Sequence, residues 1–241
     1  DKKNKTLSIA RDRLGEKPLY FYQDSSKLFF ASELKAFSFL DSDLKISKKG
    51  VDLFISQGNI PAPYSIYENV FKVLPSEIIT FSSTQRYQSE QYWDIDSFEI
   101  NNNISAFEVN SKFEELFLNA VSSQMISDVP LGAFLSGGLD SSAVVAAMVE
   151  SSSGKINTYS IGFKEELYNE SVTAKAIADH LKTDHHEFFV TEKDAIDLIP
   201  KMPTVFCEPF GDSSQLPTYL LCQETKRDIT VCLSGDGGDE I

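Results

Sequence analysis

The chain has 241 residues, 41% of them hydrophobic, and a formal net charge of −14. That length allows one large domain or two modest ones, and the apolar share is enough for a packed core. The acidic surplus argues against broad binding along a nucleic-acid backbone, which needs clustered Lys and Arg, and no apolar run reaches the length that spans a bilayer.

Residues 1–95 read as β-rich. Candidate strands are 6–10, 19–22, 28–31 and 77–81, with turn-forming clusters such as Gln23-Asp-Ser-Ser26 between them. The Phe-rich strands read as core. Residues 58–63 must form a loop, since two prolines cannot continue a helix or a ladder. The polar, turn-rich stretch 96–105 is the best linker, which leaves 106–241 as a second domain. There Phe113, Leu116, Phe117, Ala120 and Val121 recur on one helical face. A short strand over 132–135 follows, and a helix runs through Ala143–Met148. Further strands are expected over 158–163, 186–190 and 229–233, with helices over 170–182 and 214–226. Strands alternating with helices predict a mostly parallel sheet with helices on both faces. The fold class is therefore a two-domain combination: a β-rich layer, then a doubly wound α/β domain.

Two glycine-rich loops stand out. Ser136-Gly-Gly-Leu-Asp-Ser-Ser142 follows one expected strand, and Ser234-Gly-Asp-Gly-Gly-Asp-Glu240 follows another. In open α/β sheets, ligands sit beyond the carboxyl ends of strands. The first loop also opens a helix, whose free N–H groups attract an anion. Gly137 and Gly138 permit close backbone approach, and Ser136, Ser141 and Ser142 add hydroxyls. A phosphate chain satisfies this set. Asp140 would repel it unless Mg²⁺ lies between them, an ion commonly held by one or two carboxylates plus substrate phosphates. Asp239 is the candidate second carboxylate. The loop is not a Walker A sequence and has no lysine for a γ-phosphate.

The first loop resembles the pyrophosphate-binding loop of the ATP pyrophosphatase superfamily, which includes GMP and NAD synthetases. Further stretches narrow the resemblance: Arg11-Asp-Arg-Leu-Gly-Glu-Lys-Pro-Leu-Tyr20, Ala31-Ser-Glu-Leu-Lys-Ala36, Glu208-Pro-Phe-Gly-Asp-Ser-Ser214 and the second glycine loop. Together they resemble glutamine-hydrolysing asparagine synthetases across essentially the whole chain. The resemblance implies an N-terminal nucleophile hydrolase-type glutaminase layer (αββα) that releases ammonia. It also implies a synthetase domain that converts aspartate and MgATP to β-aspartyl-AMP, which ammonia turns into asparagine with release of AMP and pyrophosphate.

Matched by motif, Leu135, Ser136, Gly137, Gly138, Leu139, Asp140, Ser141 and Ser142 would hold the phosphates. Ile161 and Gly162 would touch adenine or ribose, and Ser234 and Gly235 the nucleotide. Asp140 and Asp239 would hold Mg²⁺. Asp236 would take the acidic position linked to adenylate formation, and Asp212 and Ser213 would border the aspartate pocket. The implied partners are ATP, aspartate and glutamine or ammonia, with room for a homodimer. A relative that amidates another carboxylate or a sugar, or closes a β-lactam, is the alternative within the same chemistry. A catalytically incomplete nucleotide-binding regulatory protein is the alternative outside it.

Departures from the family pattern carry expectations of their own. The family's glutaminase nucleophile is an N-terminal cysteine, whereas this chain opens at Asp1 and its first cysteine is Cys207. A fragment without glutaminase activity is expected, truncated also before a helical region that carries a phosphate-stabilising lysine. Cys207 and Cys232 read as small core residues, Cys222 has no assigned role, and the odd, sparse count suits a reducing, cytoplasmic setting. His180, His185 and His186 lack zinc spacing and read as ordinary histidines. Arg11, Arg13 and Lys17 read either as a solvated cluster or as a domain-interface group.

Overall fold

The computed structural model describes residues 1–40, 44–82, 87–100, 103–163 and 170–238. The chain divides into two compact units. One comprises Asp1–Asn101 with Pro200–Asp212, the other Asn102–Ile199 with Ser213–Ile241.

The first unit holds two three-stranded antiparallel sheets. The strands are β1 (Thr6–Ala10), β2 (Tyr20–Gln23), β3 (Leu28–Ala31), β4 (Val70–Lys72), β5 (Glu77–Ser82) and β6 (Gln88–Gln91). Their orders are β1-β5-β6 and β3-β2-β4. Side chains alternate across a strand, so Ile9, Ile79 and Phe81 from one sheet meet Phe21 from the other, with Val73 beside them. Phe21 lies edge-on to Phe81 at 5.7 Å. The opposite face of the β3-β2-β4 sheet packs Tyr20 and Val70 against Leu34 and Phe37 from a short 3₁₀ segment. The Phe-rich strands are thus core, except at Phe30, whose ring is exposed.

Helix α1 (Lys48–Gln57) is capped by the Ser47 hydroxyl, which accepts from the Gly50 amide, and it ends at Gly58 in a left-handed conformation. Gly50 lets the helix lie on the next segment, since a Cβ there would come within 2.5 Å of the Ser65 carbonyl. Arg11 is half-buried. Its guanidinium donates to the carbonyls of Lys17, Val73 and Gly15 and ties the 12–18 turn to the sheet.

The second unit is a parallel sheet. Its strands are β7 (Leu131–Phe134), β8 (Asn157–Phe163), β9 (Asp184–Val190) and β10 (Val231–Leu233), in the order β10-β7-β8-β9. The helices are α2 (Ala106–Gln124), α3 (Leu139–Ser151), α4 (Ser171–Leu181), α5 (Glu192–Leu198) and α7 (Gln215–Thr225), with the four-residue α6 (Met202–Val205) in the first unit. Helices cover both faces. On one, Val121, Val145, Ala147, Met148, Ala174 and Ala178 pack on Ala133 and Leu135. On the other, Leu221 packs with Tyr159 and Ile229.

Boundaries agree with the sequence pattern to within one or two residues for most elements. The helical face predicted on α2 is only half used: Val121 is buried and Phe117 partly so, whereas Phe113 is 62% and Leu116 56% exposed. The helix meets α3 through its C-terminal half. Phe113 stacks along its own helix on Phe117, at 5.8 Å.

Beneath α4, His185 sits in a hydroxyl network. Thr158 Oγ1 lies 2.9 Å from its Nδ1 and Ser160 Oγ 3.2 Å from its Nε2. Burial lowers its pKa below the usual 6.5. A depressed histidine pKa favours the neutral ring in the folded state, so its contribution to stability is present above the unfolded value of 6.5 and is lost as pH falls from there through the lowered folded value. Chemical denaturation from neutral pH to about pH 5.5 is therefore expected to show a steeper acid loss in the native chain than in His185→Gln. Gly132→Ala should cost about 1–3 kcal/mol in the same measurement, because its Cβ would lie 2.8 Å from the Asn157 carbonyl and 2.9 Å from the Tyr159 ring.

Candidate functional site

Strands β7, β8 and β9 are laid down in one direction across the sheet, and β10 then returns to the other side of β7. The strand order therefore reverses between β7 and β10, and such a switch point opens a crevice at the carboxyl ends of the strands. Both glycine loops leave those ends, the first after β7 and the second after β10.

The first loop is held by its own hydroxyls. Ser136 Oγ accepts from the Gly138 amide at 3.2 Å and lies 2.9 Å from Ser141 Oγ. Ser142 Oγ donates to the Gly138 carbonyl at 2.5 Å. Gly137 has φ +86°, and a Cβ there would approach the Ala174 amide and Thr173 at 3.0 Å, so this position requires glycine. Gly138 is the N-cap of α3 and provides no side-chain cap. The leading amides of the helix therefore receive no side-chain cap, and Asp140 lies in the same turn.

The second loop closes on the first through glycines. A Cβ on Gly235 would lie 2.5 Å from the Ser141 amide nitrogen, and one on Gly238 would lie 2.6 Å from Asp140 Oδ1. The carboxylate of Asp236 accepts from the Ser234 hydroxyl at 2.9 Å. Asp239 lies outside the described residues.

At the start of the first loop is a cavity of about 820 Å³. Leu135, Ser136, Ile161 and Ser213, all expected at the site, line it. Glu170, Thr191, Glu192, Leu216, Pro217 and Thr218 also line it, and sequence reasoning missed them. The readable signals were Thr191-Glu-Lys-Asp194, a capping box in which Thr191 and Asp194 bond each other's amides, and a proline within the first turn of α7. The structure does not gather every expected residue. Gly162 is off the cavity wall, where Phe189 and Ser171 fill the space a side chain would need. Leu139 points to solvent. Asp212 ends the segment that belongs to the first unit.

Cys232 is partly buried, and burial pushes its thiol up to about 12, so it has little thiolate character. Among the described residues no group of three His, Cys, Asp or Glu is placed to hold a metal ion, and no helix is long and apolar enough to cross a membrane. The Asp140 carboxylate lies against the glycine backbone of the second loop and would be one ligand for an ion that arrives with phosphates, since Mg²⁺ takes one or two such groups and completes its shell with substrate oxygens and water. Asp140→Asn is therefore expected to weaken MgATP binding at least tenfold while leaving metal-free ATP binding within about twofold, measured by calorimetry with and without EDTA. Equal loss of both would remove the ion from Asp140.

Residues 112–241, more than half of the chain, match the family model described as asparagine synthase. Residues 1–93 match the one described as a glutamine amidotransferase domain. A putative glutamine-hydrolysing asparagine synthetase 2 of Methanocaldococcus jannaschii is 42% identical over 249 residues, covering all of this chain and 47% of that protein. The glutamine-hydrolysing asparagine synthetases 1 and 3 of Bacillus subtilis are 29% and 30% identical, again across all of this chain and over 38% and 41% of their own lengths. The chain thus spans less than half the length of these curated relatives.

Proposed function

We infer that this chain, which belongs to the asparagine synthase family, carries the nucleotide-binding part of an ATP-dependent amide-forming ligase. The observation that carries the reading is the meeting of the two glycine loops at the β7–β10 switch point. Backbone amides, hydroxyls and one carboxylate converge there, and no lysine is in the loop to serve a γ-phosphate. In this reading the whole protein activates the side-chain carboxylate of aspartate as β-aspartyl-AMP. Ammonia released from glutamine then attacks the adenylate to give asparagine, and the other products are AMP and pyrophosphate.

Each residue has a defined task in that chemistry. The leading amides of α3 and the hydroxyls of Ser136, Ser141 and Ser142 hold the phosphates. The apolar cavity takes the nucleoside against Leu135 and Ile161, with Ser234 and Gly235 at its phosphate end. Asp140 and, by the family motif, Asp239 would hold Mg²⁺, which would offset the phosphate charge that the carboxylates alone would repel. Asp236, kept on Ser234 by its hydrogen bond, takes the acidic position linked to adenylate formation, and Ser213 borders the acceptor. Residues 1–95 contain no cysteine, so they frame the ammonia-releasing unit without supplying its nucleophile.

The test is made on the full-length protein with aspartate, MgATP and ammonium, following pyrophosphate and amino acids by mass spectrometry. Pyrophosphate with equimolar asparagine is the expected result. Pyrophosphate formed only with a different carboxylate would move the reading to a relative with another acceptor. MgATP binding without any pyrophosphate would leave a regulatory nucleotide-binding protein.

A further inference from the structure

Four polar side chains of the second unit form a continuous chain on β8, on β9 and in the turn that precedes β9. Thr183 Oγ1 lies 2.8 Å from Thr158 Oγ1, which lies 2.9 Å from Nδ1 of His185. Nε2 of the same ring lies 3.2 Å from Ser160 Oγ. Thr158 and Ser160 are both buried. The charged and titratable groups that act on the ring are Lys175 and Asp179 of α4 and His186 and Glu187 of β9, and Lys175 pairs with Glu187 at 3.5 Å. Ser160 has a second role in the fold. With its neighbours Tyr159 and Ile161 it lines the cavity. One residue thus belongs both to the buried network and to the wall of the candidate site, and all of these residues lie within the second unit.

A hydroxyl has one proton to give, and a neutral imidazole has one N–H and one bare nitrogen. Thr158 stands between Thr183 and Nδ1, so the network has two self-consistent arrangements. With the ring proton on Nε2, the ring donates to Ser160, while Thr158 donates to Nδ1 and accepts from Thr183. The Ser160 hydrogen is then free of the ring. With the proton on Nδ1, the ring donates to Thr158, Thr158 donates to Thr183, and Ser160 donates to Nε2. The tautomer of His185 and the orientation of the Ser160 hydroxyl are therefore one variable. Burial lowers the histidine pKa, which keeps the ring neutral near pH 7 and leaves that choice open.

We propose that His185 is a positioning residue: through its hydrogen bond to Ser160 it fixes the part of β8 that lines the cavity, and a nucleotide in the cavity in turn selects one tautomer of its ring. The linkage acts equally in both directions, so whatever disturbs the network weakens nucleotide binding. The inference rests on the nucleotide reading of the cavity.

The test uses the full-length protein, MgATP as the probe, and two readouts. The first is the pair of ring ¹⁵N resonances of His185 in histidine-labelled native protein, with and without MgATP, identified by their absence from His185→Gln. The two nitrogens exchange roles between tautomers, so a shift of the pair in opposite directions on binding is expected. The second is the MgATP dissociation constant of His185→Leu, His185→Gln and Ser160→Ala, each checked for folding by circular dichroism. His185→Leu and Ser160→Ala should each weaken binding about tenfold, a size typical of coupling between sites. His185→Gln, whose amide can still meet Ser160, should recover most of that loss. A purely structural network would give MgATP binding with unchanged ring resonances, or folded His185→Leu and Ser160→Ala variants with native affinity, and either result overturns the proposal. Absence of any MgATP binding to the native protein would overturn the nucleotide reading and this inference together.

Discussion

The candidate site depends on one close approach of backbone to backbone. At Gly235 the loop after β10 comes so near the first turn of α3 that a methyl group would lie 2.5 Å from the Ser141 nitrogen. No side chain fits there. The contact sets the second glycine loop against the first, and it places Gly238 on the carboxylate of Asp140. It is made possible by β10 pairing in parallel with β7, with Leu233 opposite Ala133. The sheet order, the paired loops and the crevice between them are consequences of the same arrangement.

The two faces of that sheet are used differently. The face under α2, α3 and α4 is closed by small apolar residues such as Ala133, Ala147, Ala174 and Ala178, which let the helices approach closely. The other face carries larger side chains, Phe134, Tyr159, Ile161 and Phe188, and is only partly covered by α7. The cavity opens on that side. A tightly packed face thus backs the two glycine loops, while the other face leaves the volume of the cavity. That division suits a ligand that is charged at one end and flat and apolar at the other.

Local features were readable from the sequence and long-range ones were not. The strands Thr6–Ala10 and Leu28–Ala31 are found where the apolar pattern places them, and the helix after Gly138 begins where the glycine pair implies. β6 escaped notice because Gln88–Gln91 has no apolar residue; it exists only by pairing with β5. α1 opens Lys-Lys-Gly, an unpromising start, and its glycine makes sense only once Ser65 is seen against it. The cavity wall from α5 and α7 depends on where separate helices converge, which no local spacing encodes. The anchoring of Glu208 depends on Ile66, 142 residues away in sequence, and on Lys72, so the acidic residue carried no visible partner. Among the expected site residues, the loops came together, while Phe189 and Ser171 cover Gly162 and Leu139 faces solvent, because a motif fixes neighbours along the chain and not what packs on each of them.

The most direct measurement on the central claim is the MgATP affinity of Gly235→Ala, by calorimetry, alongside its thermal unfolding. The added methyl must push the second loop away from Ser141 and open the crevice. The account predicts a folded protein whose MgATP binding is weakened at least tenfold, a cost of about 1.4 kcal/mol. A folded variant that binds MgATP as tightly as the native chain would contradict it, because the two loops would then not form the nucleotide site together.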